Sequence, residues 1–163
     1  MSKQPDFNQI FYDYFGTKPR MVTYSIRSDS NRYHDLMFIK SLINDGRLKR
    51  NGIKIIGKRL VIPINRDCWE LDLKDNELYI ADSRLSISPV FDLEWNFTNG
   101  MDFAPDAELW IRDLSIQRES DDMLKIVIDG YVWSLQMKAF DDNFKMKLQD
   151  LEIPYLYSQK DMT

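Results

Sequence analysis

The stretch from Ile53 to Leu73, IKIIGKRLVIPINRDCWELDL, decides how the rest of the chain reads. Leu60, Ile62 and Ile64 alternate with Val61, Pro63 and Asn65, and beyond the polar bend Asn65-Arg66-Asp67 the alternation resumes at Trp69, Leu71 and Leu73. Successive side chains of a strand point to opposite faces, so the pattern predicts two half-buried strands that place their bulky residues on one face. A sheet with one apolar face must be covered, and the later segments that repeat this period of two read as further strands of the same core.

Beyond Leu73 the turn Lys74-Asp75-Asn76 leads to Leu78 and Ile80, then Leu85 and Ile87, then Phe91, Leu93, Trp95 and Phe97, which reads as an antiparallel meander. Thr98-Asn99-Gly100 and Phe103 to Asp106 interrupt it as a crossing loop before a strand from Leu109 to Ile116. In that strand Leu109 and Ile111 lie on one parity and Leu114 and Ile116 on the other, which predicts a bulge. Leu124, Ile126 and Ile128, then Tyr131, Trp133, Leu135 and Met137 around Asp129-Gly130, form the strongest hairpin, and Phe144, Met146 and Leu148 complete the set.

Upstream, Pro5 to Phe15 carries Phe7, Ile10, Phe11 and Tyr14 at helical spacing, with proline in the first turn and Gly16 placed to cap the end, so residues 1–16 are expected to form an amphipathic helix that packs on the sheet. Thr17 to Arg32 reads as loop with a short edge strand at Val22 to Ile26. Tyr33 to Asn44 fits two periods: Leu36, Ile39 and Ile43 suit a helix, whereas Leu36, Phe38 and Leu42, or Met37, Ile39 and Ile43, suit a strand. The turn pairs Asp45-Gly46 and Asn51-Gly52 tip the reading towards strands joined by hairpins. The expected architecture is α+β: a single domain over 1–163, mainly antiparallel sheet, with an N-terminal helix, a β-rich core at 33–153 and a frayed tail at 154–163.

The size fits one domain with a real core. Four Trp, eight Tyr and nine Phe are too many for a disordered chain. Cys68 is the single cysteine, so no intramolecular disulfide can form, and MSKQPDFNQIFYDYF lacks the cationic start and apolar run of a secretory signal. The charge-free run from Gly130 to Met137 is far shorter than the ~20 residues that cross a bilayer. These features predict a cytoplasmic protein without a membrane span.

Charge is uneven. Arg47, Lys49, Arg50, Lys54, Lys58 and Arg59 place six cations in thirteen residues that contain no acid, and removing six from the net charge of -4 leaves -10 on the remainder. An acidic surface repels phosphate and steers a cationic partner. The basic segment has no interleaved aromatic residue for base stacking, so it reads as a solvated hairpin that protects a sheet edge, and nucleic acid is not the expected partner.

Candidate chemistry is sparse. Cys68 stands between Asp67 and Trp69 without a setting that would activate a thiolate, and reads as a small buried hydrophobe. His34-Asp35 could orient an imidazole, yet no GxSxG, second histidine or HExxH accompanies it, so neither a triad, a metal site nor a cofactor is expected. Most other carboxylates lie in predicted turns, where Asp bonds locally. Glu70 and Glu94, beside Trp69 and Trp95, suit recognition of a cationic surface from an exposed sheet face. Trp69, Glu70, Asp72 and Glu77 are therefore the candidate partner-binding cluster. A cleft around His34, Asp35 and Glu70, serving a small ligand or a reaction, is the alternative.

Tyr33-His34-Asp35, followed by Phe38, the Asp45-Gly46 turn and the strand Leu60-Val61-Ile62-Pro63-Ile64, resembles small β-rich immunity proteins of bacterial polymorphic toxin systems. Cys68-Trp69-Glu70 and the N-terminal helix have no counterpart in that pattern. The resemblance implies a cytoplasmic, non-enzymatic inhibitor that binds a cognate toxin domain. Combined with the acidic surface, it makes a basic toxin domain the expected partner.

Overall fold

A computed structural model describes residues 21–27, 32–68, 78–98 and 103–156. They form β1 (Thr23–Arg27), α1 (Arg32–Ile43), β2 (Arg47–Leu48), β3 (Lys54–Ile56), β4 (Arg59–Asp67), β5 (Tyr79–Ser88), β6 (Val90–Phe97), β7 (Leu109–Arg118), β8 (Met123–Gly130), β9 (Trp133–Phe140), β10 (Lys145–Asp150) and β11 (Tyr155–Leu156). The protein is thus mainly antiparallel sheet with a helix. The expected N-terminal helix, residues 1–16, lies outside the described residues.

Every strand pairing among the described residues is antiparallel, and the strands run in the order β1-β10-β5-β4-β2-β7-β8-β9-β6, with β3 added to β4 and β11 to β5. This is not the sequential meander the alternation suggested. Tyr79 to Ser88 is one strand, so Ile80, Leu85 and Ile87 belong together, and β6 pairs with β9 instead of β5. Only Pro89 separates β5 from β6, and Val90 N donates to Lys58 O at 2.8 Å. The far end of the strand path therefore returns to its middle, and the sheet doubles over a shared core.

Leu60, Ile62, Leu85, Ile87, Met146 and Leu148 from one half and Leu114, Leu124, Ile126, Ile128, Leu135 and Met137 from the other belong to that core. Each such side chain contributes about 1.5–3 kcal/mol when fully buried. Between the halves lies α1, packed on β1, β4 and β7 through Leu36, Ile39, Leu42 and Ile43. The strand preferred for Tyr33 to Asn44 is thus a helix: Leu36, Ile39 and Ile43, spaced i, i+3, i+7, are buried together on one helical face against the core, so the helical period wins.

Asp45-Gly46 ends this helix and is not a hairpin turn. Gly46 N donates to Ile43 O at 2.8 Å, while Asp45 N donates to Ile111 O and Ile111 N to Gly46 O, which ties the helix end to β7. Asn51-Gly52 likewise lies in a 3-10 turn over Arg50–Gly52. The tight hairpin between β3 and β4 turns at Gly57-Lys58, where Gly57 takes a φ of 64° that favours glycine.

The polar bend expected at Asn65-Arg66-Asp67 is a continuation of β4, paired through to Asp67↔Ile80. Arg66 and Asp67 are buried because partners on neighbouring strands meet their charges. The bulge in β7 is present, its register shifting between Ile111 and Asp113 against β8. The β8–β9 hairpin forms as expected, but it turns at Tyr131-Val132 and leaves Tyr131 62% exposed, off the face of Trp133, Leu135 and Met137. Two residues of the expected tail, Tyr155 and Leu156, pair with Ile80 and Tyr79.

Candidate functional site

The outer face of β1, β10, β5, β4 and β3, opposite the core, forms a trough of ≈ 990 Å³. Its walls follow from strand alternation. In β10, Met146, Leu148 and Asp150 point inward, so Lys145, Lys147 and Gln149 point out; in β5, Ser83, Leu85 and Ile87 point inward, leaving Arg84, Ser86 and Ser88 outside. Register then assembles these positions into rows across the strands. Lys54, Val61, Ser86, Lys147 and Ser25 lie side by side, and Pro63, Arg84, Gln149 and Thr23 form the next row.

Five cations line the trough: Lys54, Arg59, Arg84, Lys145 and Lys147. All are exposed, none has a carboxylate partner among the described residues, and no acid lines the trough among those residues. Like charges this close on one sheet face repel, and an anionic partner relieves that repulsion. Serine hydroxyls on the floor add donors, while Ile56, Val61 and Leu151 supply aliphatic surface, with Ile56 and Leu151 exposed. At the β2 side Arg47 Nη1 donates to Asp67 Oδ1 at 2.8 Å, which neutralises that pair, and Asn65 Nδ2 donates to Asp82 Oδ1 at 2.9 Å, which leaves Asp82 a charged, exposed carboxylate outside the trough lining.

Below the trough a buried ionic network fixes the same strands. The Asp150 carboxylate accepts from Arg66 Nε and Nη2 at 2.8 Å each, from Ser83 Oγ at 2.6 Å and from Val22 N at 2.9 Å. Asp150 N also donates to Val22 O at 2.8 Å, so one residue locks β4, β5 and β10 to the start of β1.

Four of the six cations of the basic segment fall into two groups. Arg47 spans Asn65, Asp67 and the Trp110 ring, and Arg50 lies 4.9 Å from the Phe97 ring centroid and donates to Phe103 O, so these two are structural. Lys54 and Arg59 instead join the trough, together with cations the sequence reading did not single out. Arg84, Lys145 and Lys147 are scattered along the chain, and their signal was a cation at the outward positions of strands whose inward positions are apolar.

Of the expected site residues, Trp69, Glu70, Asp72 and Glu77 lie outside the described residues. His34 is exposed on the first turn of α1 with its ring edge-on to Tyr33. Asp35 Oδ1 accepts from Tyr24 Oη at 2.7 Å, and burial, reinforced by that carboxylate, pushes the Tyr24 phenol up to about 12. Neither His34 nor Asp35 lines the trough. Cys68 is buried, its backbone N donating to Tyr79 O at 2.8 Å. The pairing of Glu94 with Trp95 on one exposed face is corrected: Glu94 is exposed, while Trp95 packs inward, 5.8 Å from Trp133 between ring centroids. Neighbours in a strand face opposite ways.

No protein-family model, curated protein or solved structure matches the chain.

Proposed function

We propose that this protein acts by binding, as an immunity-type inhibitor that occupies a partner protein and does not turn over a substrate. The observation that carries this reading is the trough: a broad, open sheet face on which exposed cations, without a carboxylate partner among the described residues, adjoin exposed aliphatic side chains above a buried ionic network. Exposed apolar surface bordered by charge suits a macromolecular interface better than a small, enclosed ligand pocket. The resemblance of Tyr33-His34-Asp35 and Leu60 to Ile64 to immunity proteins supports the same class. No helix among the described residues is long and apolar enough to cross a membrane, and a cytoplasmic location belongs to the proposal.

A competing interface for the same role is Trp69, Glu70, Asp72 and Glu77, for which the negative whole-chain charge favours a basic toxin domain. The alternative cleft around His34, Asp35 and Glu70 has weaker support, since Asp35 is engaged by Tyr24 and His34 faces solvent. The test is co-expression with the product of the adjacent toxin-like gene. A complex that survives size-exclusion chromatography and restores growth is expected; growth arrest with no complex would sink the reading.

A further inference from the structure

The trough itself narrows the chemistry of a partner, and this inference rests on the binding role just proposed. We infer that the outer face of β3, β4, β5, β10 and β1 docks an acidic, extended segment of a partner protein, with carboxylates on the cations and aliphatic side chains on Ile56, Val61 and Leu151.

Three features point to this occupant. The first is charge: Lys54, Arg59, Arg84, Lys145 and Lys147 converge from four strands with no acid among the described residues that line the trough. The second is spacing. Lys145 and Lys147 stand two residues apart on β10, and acids two residues apart on an extended partner recur every ~6.6 Å, the same interval. Arg84 lies opposite Gln149, diagonal to Lys147, and its planar guanidinium can grip one carboxylate with two hydrogen bonds. The third is the lining between the cations, which is serine and aliphatic. No aromatic ring is available there among the described residues, whereas single-stranded nucleic acid is held by stacking its bases on aromatic rings. The net charge of -4 also disfavours a long polyanion that would run past the trough over the rest of the surface.

The probe is a fluorescein-labelled peptide of about ten residues that alternates glutamate with valine, titrated with the full chain by fluorescence anisotropy. Controls are a peptide of alternating lysine and valine and a single-stranded oligonucleotide of equal negative charge. The acidic peptide should bind, weaken about tenfold between ~50 and ~500 mM salt, and weaken about tenfold against R84E/K147E with an unchanged melting temperature. R84Q/K147Q should fall between, which guards against a misfolded reversal variant. Equal affinity for the double variants, tighter binding of the oligonucleotide or the basic peptide, or no binding of the acidic peptide at low salt would each overturn the inference. The toxin co-expression assay keeps the two proposals apart. Full protection by R84E/K147E rejects the trough as the docking face and leaves the inhibitor reading standing, while loss of all complex formation by the wild type rejects the inhibitor reading itself.

Discussion

Arg66 and Asp150 stand 84 residues apart in sequence and meet across β5 through two parallel hydrogen bonds of 2.8 Å, with both side chains wholly shielded from solvent. Ser83 Oγ and Val22 N occupy the remaining acceptor positions of the carboxylate. A buried pair of this kind adds little over a well-packed apolar pair, because desolvation offsets attraction, but an orphaned partner is costly.

The losses from removing each partner should therefore not add when both are removed, although Ser83 Oγ and Val22 N lose their acceptor whenever Asp150 is replaced. Arg66→Met or Asp150→Leu alone is expected to cost about 3–5 kcal/mol in urea denaturation, while the double change Arg66→Met with Asp150→Leu should cost clearly less than the sum of the two. Additive losses in that cycle would show that the network contributes only through its separate members.

A second expectation concerns Gly130 and Trp133 in the β8–β9 hairpin. A Cβ on Gly130 would stand 1.8 Å from Trp133 Nε1, which donates to Trp110 O at 3.2 Å. Gly130→Ala must displace the indole or the strand, and overpacking of this sort costs about 1–3 kcal/mol. Trp133 is 4% exposed, and Trp133→Ala should cost about 3–5 kcal/mol through the cavity it leaves. An unchanged melting temperature for Gly130→Ala would show that the ring has room to move.

Tyr24 supplies a pH dependence whose sign follows from its raised phenol. Folding favours the neutral form, so the stabilisation is whole below the ordinary value of about 10 and is lost as pH rises towards about 12. Tyr24→Phe keeps the ring beside Phe38, at 4.5 Å between centroids, and removes the hydroxyl bonded to Asp35. The stability difference between wild type and Tyr24→Phe should stay level below pH ~10 and shrink above it. Parallel curves across that window would detach Tyr24 from the alkaline transition.

Strands were legible wherever apolar and polar positions alternate, as in β4, β8, β9 and β10, because one sheet face is buried there and the period of two is direct. The bulge in β7 could also be read, from a change of parity inside one segment. What misled was polarity on the inner face. Arg66 read as a bend because a charge at an inward position looks like a break until Asp150 is brought opposite it, and strand order is not written in local pattern. Tyr33 to Asn44 carried both periods, and only the shape of the core decided between them. The trough was hidden for a related reason: Arg84 and Lys147 are remote in sequence and become neighbours only through the β5–β10 register.

Two oppositely charged sets of residues compete for the role of interface. Glu70, Asp72 and Glu77 beside Trp69 would draw a basic partner, and the trough would draw an acidic one, so the sign of the effective charge reversal identifies the interface. Growth protection should be measured for the wild type, for the triple variant Glu70→Lys, Asp72→Lys and Glu77→Lys, and for R84E/K147E, each checked for an unchanged melting temperature. If the trough holds the partner, the trough variant fails to protect and the triple variant protects fully. If the acidic cluster holds it, the pattern inverts. Added salt should slow association in either case, because ions screen the attraction between oppositely charged partners, so salt dependence alone does not choose between them. Protection by both variants at wild-type level would remove both surfaces from the interface.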